Sequence, residues 1–135
     1  MMRLRNGRLT AMALLLTIMF LAGCGDSGPP RYHVSGSVTY EGKPVPHGSI
    51  LFQPLPSTGG GAATGNATIR DGKYDTRVAG EPISGGPQIV IIEAFDGKVV
   101  NPDYAPFGES LGDSYRRQHD LPEEDATLDV ELTER

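Results

Sequence analysis

Gly108-Glu109-Ser110-Leu111-Gly112 has the G-x-S-x-G spacing that seats a nucleophilic serine on a sharp strand–turn–helix elbow, and Asp113 and His119 follow close behind. The elbow works only when a buried strand precedes the serine and a large α/β sheet holds it. Here Pro102 and Pro106 stand before the motif, and too little chain remains for such a sheet. Triad partners also normally arrive from separate loops. A glycine-flanked surface turn is therefore expected at 108–112. His33, His47 and His119 show neither H-x-H nor H-E-x-x-H spacing, and solvated polar positions are expected for them. Glu123, Glu124 and Asp125 lack the D-x-D-x-D-G loop that shapes a calcium cage, so they read as an acidic turn before the last strand. No catalytic residue, metal ligand or cofactor is expected, and the chain is read as a non-enzyme. The alternative is a small hydrolase or metal-dependent enzyme that uses residues 101–124.

The single cysteine, Cys24, carries different chemistry. Arg3, Arg5 and Arg8 form a positive start without acidic residues, and residues 9–21 (LTAMALLLTIMFL) form a short apolar run. That is the build of a signal peptide, and it is too short to span ~30 Å of hydrocarbon comfortably. Residues 21–24, LAGC, then resemble the lipobox of bacterial lipoproteins. The resemblance implies cleavage between Gly23 and Cys24, a diacylglyceryl thioether on Cys24, and a further palmitate-type chain on the new amino terminus. A lone exported thiol would otherwise be a reactive liability. Two or three acyl chains, at ~0.8 kcal/mol per buried CH₂, give stable anchoring. Ordinary signal cleavage with a free cysteine and an uncleaved membrane helix are the alternatives. By resemblance to lipoprotein sorting, aspartate directly after the cysteine holds a protein at the inner membrane. Gly25 stands there instead, which favours the outer membrane, on its periplasmic or surface face.

These readings divide the chain into a signal peptide (1–23), a lipidated cysteine and tether (24–31), and one small domain (32–135). Losing the three leader arginines makes the rest more acidic than the whole chain's net charge of −5. Nucleic-acid binding calls for a basic stripe and is not expected. In the domain hydrophobicity alternates with a period of two. Val34, Val38 and Tyr40 face one way in 33–41, and Leu128, Val130 and Leu132 do so in 127–133. Further strands are expected near 48–54, 63–70, 73–78 and 87–95, with Asp71-Gly72, Asp96-Gly97 and Gly42 marking turns. Short strands with frequent turns imply an all-β, antiparallel Greek-key sandwich.

The stretch VSGSVTYEGKPVPHGSILFQP (34–54) resembles the opening of carboxypeptidase regulatory-like domains, which have a transthyretin-like (prealbumin-like) β-sandwich. DGKY (71–74) matches a second signature of that family and GGPQIVI (85–91) approximates a third, with Gln88 in place of the usual aromatic. The resemblance covers roughly 33–100 and implies a non-catalytic binding or structural module. With the anchor, it implies work at the cell envelope, on an envelope protein or polysaccharide.

Val34, Val38, Tyr40, Ile50, Phe52, Ile69, Tyr74, Val90, Ile92, Leu128 and Val130 form the expected core. The strand 87–95 is apolar on both faces, so something should cover Ile89, Ile91 and Phe95; residues 101–124 or a partner chain are the candidates. That connection is long, and a short helix over 108–119 is expected in it. Tyr115, Arg116 and Arg117 place aromatic surface and positive charge together in an acidic protein, which makes them the candidate partner-binding residues.

Overall fold

The computed structural model describes residues 28–56 and 61–134. The signal peptide, the cleavage site at Gly23 and the anchor at Cys24 lie outside the described residues. Ten strands follow in chain order: β1 (Val34–Tyr40), β2 (Lys43–Pro44), β3 (His47–Pro54), β4 (Gly65–Arg70), β5 (Lys73–Asp75), β6 (Gly80–Glu81), β7 (Gly86–Phe95), β8 (Tyr115–Leu121), β9 (Ala126–Thr127) and β10 (Val130–Leu132). They form one sheet in the order β10-β1-β5-β4-β3-β7-β8, with β2 and β9 on β1 and β6 on β4. The chain is all-β, and its pairings are antiparallel except where β9 and β10 join β1 in parallel.

Local sequence explains the tight corners. Tyr40 pairs with Lys43 and Arg70 with Lys73, so Glu41-Gly42 and Asp71-Gly72 are two-residue hairpin loops. All four residues have positive φ: 48° and 75° in the first, 50° and 74° in the second. That is the type I′ geometry whose twist matches the flanking strands. Asp96-Gly97 behaves otherwise. It opens a long loop closed at its stem, where Asp96 N–H donates to the Glu109 carbonyl and Gly97 N–H to that of Phe107.

The sheet curls until its two halves share one core. Ile50 and Phe52 of β3 are fully buried with Val90 and Ile92 of β7, Ile69 of β4, and Val34 and Val38 of β1. Across the interior Phe52 meets Tyr74 of β5, ring centroids 6.2 Å apart. Of the expected core residues, Tyr40 and Leu128 are partly buried at its margin and the rest are buried.

The helix expected over 108–119 does not form. Gly108 and Gly112 have φ of 90° and 83°, outside the helical range, and the chain runs along β7 instead. Ser110 bridges to Phe95, and after a bend at 112–113 β8 pairs with β7 from Tyr115↔Ile92 to Leu121↔Gly86. The strand expected over 127–133 is split into β9 and β10. Between them the Leu128 carbonyl leans so far over β1 that a Cβ on Gly36 would lie 2.0 Å from it. The Tyr74 hydroxyl donates to that carbonyl at 2.7 Å. Asp125 accepts the His33 N–H and Asp129 accepts the Ser37 N–H, both at 2.7 Å, so two carboxylates, one just before β9 and one in the gap before β10, clip the carboxyl-terminal segment to β1 and its approach. An ion pair from Arg77 reaches the same Asp125.

Ile89, Ile91 and Phe95 share the outer face of β7, and all three are partly buried. Phe107, from the 101–124 connection, covers Phe95 at 6.0 Å between centroids and stacks on His47 at 4.0 Å. Ile89 and Ile91 are flanked by their cross-strand neighbours Gln118 and Arg116 on one side and Gln53 and Leu51 on the other.

Candidate functional site

β8 and β10 are the two ends of the strand path. Where they approach each other the curled sheet leaves a cleft of about 370 Å³. Tyr115, Arg116 and Arg117 line it from β8, and Glu131, Leu132, Thr133 and Glu134 line it from β10 and the residues after it. Tyr40 and Leu111, both packed against the core, complete it with residues 112–114. The volume falls at the low end of small-molecule sites.

The three candidate residues thus reach one cleft, but not as one patch. Residues opposite each other in an antiparallel pair share a face. Tyr115 and Arg117 lie opposite Ile92 and Val90 on the inner face, and Arg116 lies opposite Ile91 on the outer one. Arg117 places its guanidinium carbon 5.7 Å from the Tyr115 ring centroid, a cation–π contact. The Tyr115 hydroxyl meets His119 Nε2 at 2.9 Å. Burial, joined by the nearby Arg117 charge, holds the His119 pKa below its ordinary value. Burial also raises that of Tyr115, which Arg117 partly offsets. The lowered pKa favours the neutral imidazole, and one hydrogen bond joins it to the phenol. Burial raises the Tyr40 pKa, with Glu134 and Glu41 adding to it.

Opposite charges line the cleft without meeting: among the described residues the ion pair is Arg77–Asp125, far from Arg116, Arg117, Glu131 and Glu134 in the fold. Sequence reasoning missed the acidic side. Glu131 sits in the 127–133 strand read as plain alternation and Glu134 just after it, and parallel pairing of β10 with β1 is what brings them to β8.

The motifs set aside in the sequence have other partners. Ser110 Oγ donates to the Gly112 carbonyl at 2.8 Å, while His119 bonds Tyr115, and no hydrogen bond joins Ser110, Asp113 and His119 among the described residues. His33 Nδ1 lies 3.2 Å from Thr76 Oγ1, and His47 stacks on Phe107. No group of three or more His, Cys, Asp or Glu that would hold a metal occurs among the described residues. Gln88, which replaces an expected aromatic, is fully buried. Its amide donates to the Ser84 carbonyl, and its Oε1 has no partner among the described residues. The loop beyond Asp96 displays Val100 and Tyr104, each 89% exposed. No family model and no curated protein matches the chain.

Proposed function

We propose that this chain is an exported lipoprotein, anchored in a bacterial membrane through Cys24, whose transthyretin-like Greek-key sandwich is a non-catalytic binding module at the cell envelope. The outer membrane is the favoured location. The observation that carries the binding role is the cleft between β8 and β10, where Arg116 and Arg117 of β8 and, across from them, Glu131 of β10 and Glu134 just after it remain unpaired with each other. An anion alone would meet the glutamates. A ligand carrying both signs of charge, such as a segment of an envelope protein, suits both sides. The partly buried rings of Tyr40 and Tyr115 offer it apolar contact with hydroxyls at hand.

The test is site-specific cross-linking in the native envelope, with a photoreactive residue in place of Ser114 at the cleft margin. Arg117 is exposed, so Arg117→Ala should leave the denaturation midpoint nearly unchanged. It should lower the yield of a discrete cross-linked partner by roughly tenfold or more, the range of an arginine anchor at an interface. Unchanged yield of every cross-linked product contradicts the proposal.

A further inference from the structure

β8 hydrogen-bonds to β7 and to no other strand among the described residues. Its other edge presents a row of backbone N–H and C=O groups in the sheet plane, a template for another strand. The bend at 112–113 precedes Tyr115 and Pro122 follows Leu121, while within the edge Arg116, Arg117 and Asp120 are charges that restrict which strand can pair there.

The charges within β8 are arranged so that the strand complements itself. Two copies pairing antiparallel about a two-fold axis normal to the sheet must place one residue opposite itself, because the axis keeps every side chain on its own face. Full overlap of the seven residues puts Gln118 at that centre. Arg116 then stands opposite Asp120 of the second copy, and the axis repeats the pair. Tyr115 stands opposite Leu121, and Arg117 opposite the neutral His119. Centring on Arg117 would set two arginines face to face. Centring on His119 would bring Arg116 against Pro122, which has no N–H to give. Opposite charges directly across a strand pair stabilise it, and like charges destabilise it. Arg116, Gln118 and Asp120 are all exposed on the outer face, opposite Ile91, Ile89 and Pro87, and are free to meet a second copy.

We propose that the chain forms a two-fold dimer by antiparallel pairing of β8 with β8 of a second copy, centred on Gln118 and held in register by two Arg116–Asp120 pairs. The dimer joins the two sheets across the axis, as an isologous interface does. This goes beyond the binding role of the cleft, with which it shares Arg116 and the wall that β8 forms, and its register test reads pairing at 118 rather than ligand capture.

Disulfide trapping of the full chain in detergent micelles tests the register. Opposed residues in an antiparallel pair have Cα atoms ~4.5 or ~5.5 Å apart, within the span of a disulfide. Gln118→Cys should therefore give a covalent dimer as the major product on mild oxidation, above the background that Cys24 sets in the unsubstituted chain. Arg116→Cys should give no more than that background, since its counterpart lies four residues along the strand, ~14 Å away. Adding Asp120→Arg to Gln118→Cys should abolish trapping, and adding Arg116→Asp as well should restore it. Equal trapping at 118 and 116, or trapping at 118 that is indifferent to Asp120→Arg, overturns the proposal.

Discussion

Replacing Phe52 by alanine should cost about 3–5 kcal/mol, the usual range for removing a buried phenylalanine. Phe52 has no exposed surface and lies at the middle of the curled sheet, opposite Val90 on one side and Gly65 on the other. Gly65 brings no side chain that could move into the vacated volume. Across the core the ring meets Tyr74, whose hydroxyl is committed to the Leu128 carbonyl, so that side chain cannot swing in without losing its hydrogen bond. A domain of this size has only about 5–15 kcal/mol of total stability. Urea unfolding should therefore show a large drop in midpoint with an unchanged slope. An unchanged midpoint would mean that β3 does not sit in this register.

Gly36→Ala should have the next largest effect, and a local one. The new methyl would lie 2.0 Å from the Leu128 carbonyl oxygen, a backbone atom that cannot rotate away. Either β1 or the carboxyl-terminal segment must shift, at a cost of ~1–3 kcal/mol or more. Hydrogen exchange should show the Val130 and Leu132 amides losing protection well before those of β3 and β7. Wild-type protection there would contradict the seam. Acid should act on the same place. The His33 N–H is the chief cause that holds the Asp125 pKa below the ordinary carboxylate value, with Arg77 assisting. The Ser37 hydroxyl, and then its N–H, does the same for Asp129. A carboxylate with a depressed folded pKa contributes stability that is complete above its unfolded value and lost as pH falls through the folded one. β9 and β10 should accordingly loosen below roughly pH 4, and Asp129→Asn should loosen them already at neutral pH.

Much of this architecture is legible in the residues. Alternation marks β1, β3 and β4 because each buries one face, whereas β7 stands out as a run apolar on both faces. Asp71-Gly72 marks its turn because positive φ at two successive positions favours those residue types. The apolar outer face of β7 correctly required cover at Phe95, and Phe107 supplies it. β8 escapes notice for a physical reason: Tyr-Arg-Arg-Gln-His-Asp-Leu lies at the sheet's open end, where the inner face is covered at Tyr115, His119 and Leu121 but Arg117 between them is exposed, so no regular apolar alternation is imposed on it. A short helix over 108–119 is the expectation there instead. Gly108 and Gly112 inside that window were the available signal against one. The candidate site was half legible. Tyr115, Arg116 and Arg117 stood out by composition, but Glu131, Glu134 and Tyr40 join them only through long-range strand pairing. Alternation reports which face a residue takes. It does not report which strand lies beside it or in which direction that strand runs.

The proposed role at the envelope depends first on Cys24. Mass spectrometry of the amino terminus of the native, detergent-extracted protein tests it most directly. The account predicts a chain that begins at Cys24 and carries a diacylglyceryl thioether with an acylated amino group. A chain that retains residues 1–23, or a Cys24 with a free thiol, would contradict it.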